Sequence, residues 1–131
     1  MSGEVTGVVD WDLGVPQGLA LFDLIHLLAS TRQERLEETT GGFVCLSRAY
    51  IEVLEELAAG PPSSVPRDLL RRYVAALALS LPYVSAALTV YLFYRIRSKA
   101  LVGDGNIESM LDNLDECVAR ARRLDVGSVL A

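Results

Sequence analysis

Apolar residues return along this chain at intervals of three and four, broken at a few points by glycine and proline. Leu21, Leu24, Ile25 and Leu28 keep the spacing of one helix face and predict a helix from about Leu19 or Leu21 to about Ser30. The polar stretch from Thr31 to Gly42 follows, charged from Arg32 to Glu38 and closed by Gly41-Gly42. A second helix is expected over Phe43 to Ala59. Phe43, Leu46, Tyr50, Ile51, Leu54, Leu57 and Ala58 would share its buried face, opposite Arg48, Glu52, Glu55 and Glu56. Gly60-Pro61-Pro62-Ser63-Ser64-Val65-Pro66 reads as a loop, and Pro66 suits the first turn of the next helix.

From Tyr73 to Tyr94 no residue carries a charge. Pro82 sits mid-run, so the segment is expected to be one kinked helix or two helices meeting at Pro82. Arg95, Arg97 and Lys99 would close it, where cations complement the helix dipole. Gly103-Asp104-Gly105 makes a turn. A last amphipathic helix is expected over about Asn106 to Leu124, burying Ile107, Met110, Leu111, Leu114, Val118, Ala121 and Leu124. Ahead of all these, Val5, Val8 and Val9 have the β-branched character of a short strand that ends in the acidic turn Asp10-Trp11-Asp12. Gly14 and Pro16 then stop any regular run.

The uncharged run is long enough to span a bilayer, yet Ala, Ser, Thr89 and Pro82 contribute little to insertion. Cations flank both ends, so loop charge sets no orientation. A central core helix is the favoured reading, with a membrane span at 73–94 as the alternative.

Composition narrows the classes. At 131 residues the chain is expected to be a single domain, and 51% hydrophobic against 22% charged residues excludes a disordered tail. Twelve Lys+Arg against 17 Asp+Glu give a net charge of −5, the wrong sign for a phosphate-backbone binder, so no nucleic-acid partner is expected. Cys45 and Cys117 are too few for a disulfide scaffold and read as small core residues in a reducing, cytoplasmic setting. No basic-then-apolar leader is visible at Met1-Ser2-Gly3-Glu4.

Asp10 and Asp12 flank Trp11 directly after the expected strand. Carboxylates there are either solvated turn formers or ligands for a metal such as magnesium, which takes one or two carboxylates plus substrate phosphates. The wider string favours the second. Val5-Thr6-Gly7-Val8-Val9-Asp10-Trp11-Asp12, then Pro16, then Phe22-Asp23-Leu24 resembles the C-lobe of the aminoglycoside phosphotransferase and choline kinase family. There a strand ends in an Ile-Asp-Trp-Glu-like motif, followed by a Pro-containing loop and a helix opening with Asp-Leu. The resemblance covers about the first 25 residues and beyond them rests on a helical lobe.

The resemblance implies a mainly α fold: the helical C-lobe of a protein-kinase-like phosphotransferase with a short N-terminal strand and no N-lobe. Residues 1–30 would carry the family motifs and 43–124 the helices. It implies Asp10 as a metal ligand, with Asp12 where the family has Glu or Asp. Trp11 would pack beneath it, and Asp23 would organise backbone amides of a catalytic loop. Magnesium and ATP are implied in the same way. On the residues alone, Asp23 is a first-turn carboxylate satisfying free helix amides.

Much that phosphoryl transfer requires is missing. The family's His-Gly-Asp loop, with Asn four residues on, has no counterpart, because the only histidine is His26, followed by Leu27-Leu28. No Gly-rich loop follows a strand, and the only lysine is Lys99. The chain is therefore expected to be inactive alone and to bind neither cofactor by itself. It would be a gene fragment, a product of a start assigned too late, or a subunit completing another chain. A lobe without its partner would expose apolar surface, so a homo-oligomer or a missing N-terminal lobe is the expected partner, and a small helical interaction module is the alternative.

His26 lies three residues after Asp23 on one helix face and reads as a hydrogen-bonded core or boundary histidine in preference to an acid–base unit. Thr40-Gly41-Gly42 is too short for a phosphate loop. Arg120, Arg122 and Arg123 read as dipole-complementing residues at a helix C-terminus.

Overall fold

The computed structural model describes residues 21–103 and 107–131, and all regular structure among them is helical. The elements are α1 (Leu21–Thr40), α2 (Leu46–Ala59), α3 (Val65–Leu77), α4 (Leu81–Val102), α5 (Ile107–Leu111), α6 (Leu114–Arg123) and α7 (Val126–Leu130). The expected strand and the Asp10-Trp11-Asp12 turn lie outside the described residues.

Helix α1 runs ten residues past its expected end. Arg, Gln, Glu and Leu are good helix formers, and no glycine or proline interrupts them before Gly41. The polar turns are also tethered. Arg32 pairs with Glu52 at 3.5 Å and with Glu56 of α2. Gln33 Nε2 donates to the Val44 carbonyl at 2.7 Å, and the Val44 amide donates to Glu37 Oε2 at 3.1 Å. Gly41, at φ +78°, ends the helix in the left-handed conformation. The same tethers hold Val44 outside the helix, and Cys45 at the N-cap is extended (φ −74°, ψ 154°), so α2 starts at Leu46 and not at Phe43. Phe43 is consequently 67% exposed, and Ala58 is exposed too; neither is on the buried face expected for it.

The uncharged run is two helices, but they do not meet at Pro82. The break lies at Ala78–Ser80. Ala78 takes φ 54°, ψ 44°, the Ala78 amide donates to the Ala75 carbonyl, and the Leu79 amide donates to the Val74 carbonyl at 3.1 Å. These are the two bonds of a Schellman motif. Ser80 then caps α4 by accepting from the Tyr83 amide at 3.2 Å. Pro82 sits in the first turn of α4, where its missing N–H costs nothing. Arg95, Arg97 and Lys99 lie within α4, which ends at Gly103 (φ +78°).

The expected terminal helix is also divided. Asn113, at φ −117° and ψ 18°, separates α5 from α6. Its Nδ2 donates to Ser47 Oγ at 3.4 Å and Cys45 Sγ at 3.6 Å, so a bond to the start of α2 replaces continuation of the helix. Leu111 is turned out as a result and is 49% exposed, contrary to expectation. Asp125 caps α7 by accepting from the Ser128 amide at 3.2 Å.

Helix α1 packs on α2, α3 and α4, and α6 closes against α2 and α4. Leu21, Ile25, Tyr50, Leu54, Leu57, Leu70, Leu88, Tyr91 and Leu92 are buried at the centre. Phe22 packs on Tyr94 with ring centroids 4.7 Å apart, and Tyr50 meets Tyr91 edge-on at 4.9 Å. Each such aromatic pair is worth about 0.5–1.5 kcal/mol beyond area burial. Val84, Ala87 and Leu88 of the former uncharged run are core residues, and among the described residues no helix is long and apolar enough to cross a membrane.

Candidate functional site

Asp10, Trp11 and Asp12 fall outside the described residues, so the acidic turn has no geometry to report. Asp23 stands in the first turn of α1 with its side chain exposed. Its charge reaches α3: burial first, and then the Asp23 carboxylate, push the Tyr73 phenol above its ordinary range. Among the described residues, no group of three or more His, Cys, Asp or Glu side chains is arranged to hold a metal ion.

One turn after Asp23, His26 leaves the surface. Its Nδ1 lies 2.6 Å from the Tyr91 hydroxyl on α4. Tyr91 is buried, and burial pushes its phenol well above the ordinary value, so the hydroxyl keeps its proton; the donor in this bond is set by the imidazole tautomer. Burial, reinforced by the Arg95 and Lys99 charges, lowers the His26 pKa from 6.5 to about 4.

His26 opens onto a cleft of about 240 Å³ between α1, α4 and the start of α5. Ser30 and Gln33 continue its α1 wall, and Arg95 and Lys99 form the α4 wall one turn apart. Phe43, Leu46 and Met110 supply an apolar side, and Ser109 stands at the α5 end. Arg95 Nε is buried and has no hydrogen-bond partner among the described residues. Among the described residues that line the cleft none is a carboxylate.

The two cysteines converge elsewhere. Cys45 Sγ is 3.3 Å from Ser47 Oγ, and Cys117 Sγ donates to the Ser47 carbonyl at 3.4 Å. Both are free thiols, and burial pushes Cys117 up to about 12. Arg120 pairs with Glu55 at 3.0 Å and Glu116 at 2.9 Å, while Arg122 and Arg123 are exposed.

The pairing of His26 with Tyr91, and the cleft around it, were not anticipated from sequence. Arg95 and Lys99 were read as closing a helix, yet their four-residue spacing matches that of His26 and Ser30 on α1. Two such faces brought together make one polar wall against another. No protein-family model, curated protein or solved structure matches this chain.

Proposed function

We propose that this chain is the helical C-terminal lobe of an ATP- and magnesium-dependent phosphotransferase acting on a small-molecule hydroxyl, and that it does not transfer phosphate alone. The observation that carries the reading is the string Val8-Val9-Asp10-Trp11-Asp12, Pro16 and Phe22-Asp23-Leu24. In support, Asp23 opens a helix of an all-helical set of described elements. The metal and nucleotide are implications of the resemblance only, since Asp10 and Asp12 lie outside the described residues, and no step is assigned through either. Inactivity follows from the chemistry: positioning and charge neutralisation provide most of the acceleration in phosphoryl transfer, and their contributions collapse together when members are removed. Purified protein incubated with Mg·ATP and a panel of aminoglycosides, choline and sugars is expected to show no turnover. Transfer that disappears in Asp10→Ala would overturn the inactivity. Reading the DNA upstream of Met1 in frame tests the lobe itself: a His-Gly-Asp-x-x-x-x-Asn string supports it, and an immediate stop codon counts against it.

A second reading, a helical module that associates with another copy of itself, is favoured by one feature of α4. Pro82, Ala86, Val90 and Phe93 share a stripe of that helix and are all exposed, Phe93 by 50%, up to the exposed Arg97. Contiguous apolar surface of this kind marks contact sites. Size exclusion with light scattering is expected to give a dimer that Phe93→Glu dissociates. A monomer at all concentrations excludes this reading.

A further inference from the structure

The outward side of α4 has a pattern that fits a reversed copy of itself. Building on the reading of the chain as a self-associating module, we propose that two copies pair through α4 in antiparallel orientation, centred between residues 91 and 92. Phe93 then packs on the partner's Val90, and the Arg97 stem lies over the partner's Ala86.

From Leu81 to Tyr94 the exposed residues of α4 are Leu81, Pro82, Ala86, Val90 and Phe93, and every one is apolar. A helix side that meets only water ordinarily carries polar residues. Other helices of this protein do so: α2 exposes Arg48 and Glu55, and α6 exposes Asp115, Glu116, Arg122 and Arg123. Val90 is 42% and Phe93 50% exposed. Covering this side of α4 removes on the order of 400 Å² from each copy, the lower end of specific interfaces, so the pairing is reversible and depends on concentration.

The spacing of the exposed positions points to a second helix. Ala86, Val90, Phe93, Arg97 and Ala100 are all exposed and follow one another at intervals of four, three, four and three, the alternation of a coiled-coil seam. Reversing one of two such seams sets residues equidistant from the centre opposite each other. Val90 and Phe93 flank the centre equally, and so do Ala86 and Arg97. The large ring therefore meets a β-branched side chain, and the longest side chain meets the smallest. Arg97 lays its methylenes across the partner's Ala86 and keeps its guanidinium in water at the rim.

Charge selects the orientation. Parallel pairing through the same seam would set Arg97 against the partner's Arg97, a like-charge contact that costs affinity. Antiparallel pairing moves the two cations about 16 Å apart along the axis, beyond the screening length at physiological salt. Each Arg97 then meets the half of the partner's helix that carries no charge, residues 81–94. The two helix dipoles also oppose one another. A contact in which each position answers its counterpart in both directions is closed and two-fold, so it stops at the dimer.

Two full-length variants, Ala86→Cys and Arg97→Cys, test the register at exposed positions that the fold does not need. A disulfide requires Cα atoms within about 7 Å. An equimolar mixture of the two, mildly oxidised, is expected to give a covalent dimer whose digest contains a peptide linked through positions 86 and 97, while neither variant alone links to itself at the new position. Sedimentation velocity on two further variants tests the charge. Ala86→Arg, which sets two cations together, should weaken the dimer about tenfold or more, whereas Ala86→Glu, opposite the partner's Arg97, should change it by less than about threefold. A wild-type protein that is monomeric at every concentration overturns both the self-association reading and this pairing; if that monomer floats with phosphatidylcholine vesicles, the face belongs to lipid. A wild-type dimer whose Ala86→Cys form links to itself at position 86, whose mixture gives no 86–97 link, or which Ala86→Glu weakens as much as Ala86→Arg, leaves self-association standing and overturns the antiparallel pairing.

Discussion

His26 Nδ1 and the Tyr91 hydroxyl, 65 positions apart in sequence, are joined at 2.6 Å across α1 and α4. Because the folded state holds the imidazole neutral, with a pKa lowered from 6.5 to about 4 chiefly by burial, the pair links stability to pH. Between those values the unfolded chain binds a proton that the folded chain refuses. The contribution is therefore complete above about pH 6.5 and is lost progressively as the pH falls towards 4. Water reaches part of the ring, so the expected loss is on the order of 1–2 kcal/mol. Urea midpoints at pH 7 and pH 4.5 check this, and the difference between wild type and His26→Gln should shrink at the lower pH. An unchanged difference would contradict the linkage.

Tyr50 is wholly buried and donates to the Leu88 carbonyl at 2.5 Å. Tyr50→Phe keeps the edge-on contact with Tyr91 but removes the hydroxyl. A cost of about 0.5–1.5 kcal/mol is expected by denaturant melting. A larger loss would mean that the hydroxyl supports more of the α2–α4 contact than one bond.

Ala78 holds a left-handed conformation at the end of α3 with its side chain exposed. Ala78→Gly should raise stability by about 1 kcal/mol, since it relieves the Cβ clash and gives up no packing. In contrast, Ser80→Ala removes the cap of α4 and should cost about 1 kcal/mol. Thermal melts of both variants check the opposite signs.

Cys117 is buried, with its thiol pushed up to about 12 chiefly by burial, whereas Cys45 is partly exposed. The thiolate is the reactive form. Native protein treated with iodoacetamide should therefore be alkylated at Cys45 well before Cys117, and unfolding should equalise the two. Mass spectrometry of the digest reads the order directly; early labelling of Cys117 would show that α6 opens readily.

The helical content and much of the core were legible because periodicity is local. Leu21, Leu24 and Ile25, and Tyr50, Leu54 and Leu57, repeat at the spacing of a helix face and are buried. The breaks were harder. The polar end of α1 shows no apolar period, and it stays helical through contacts that Arg32, Gln33 and Glu37 make with residues up to 24 positions away. Pro82 drew attention as a breaker, yet the break precedes it, and the proline fits the first turn of the following helix. Asn113 is an ordinary polar residue in sequence and becomes a divider once Ser47 and Cys45 lie within reach.

The candidate site divides in the same way. Residue pattern alone determined that the chain is mainly helical and net acidic, and it suggested the phosphotransferase reading of Asp10-Trp11-Asp12 and Asp23 that is proposed above. These are properties of neighbours along the chain, and the chemistry of adjacent residues is written there directly. Only the tertiary structure decided that His26 answers to Tyr91, that Arg95 and Lys99 share a cleft with Ser30 and Phe43, and that the core closes around Tyr50 and Tyr91. Those groups lie on different helices, and their meeting depends on how the helices pack, which no local spacing encodes.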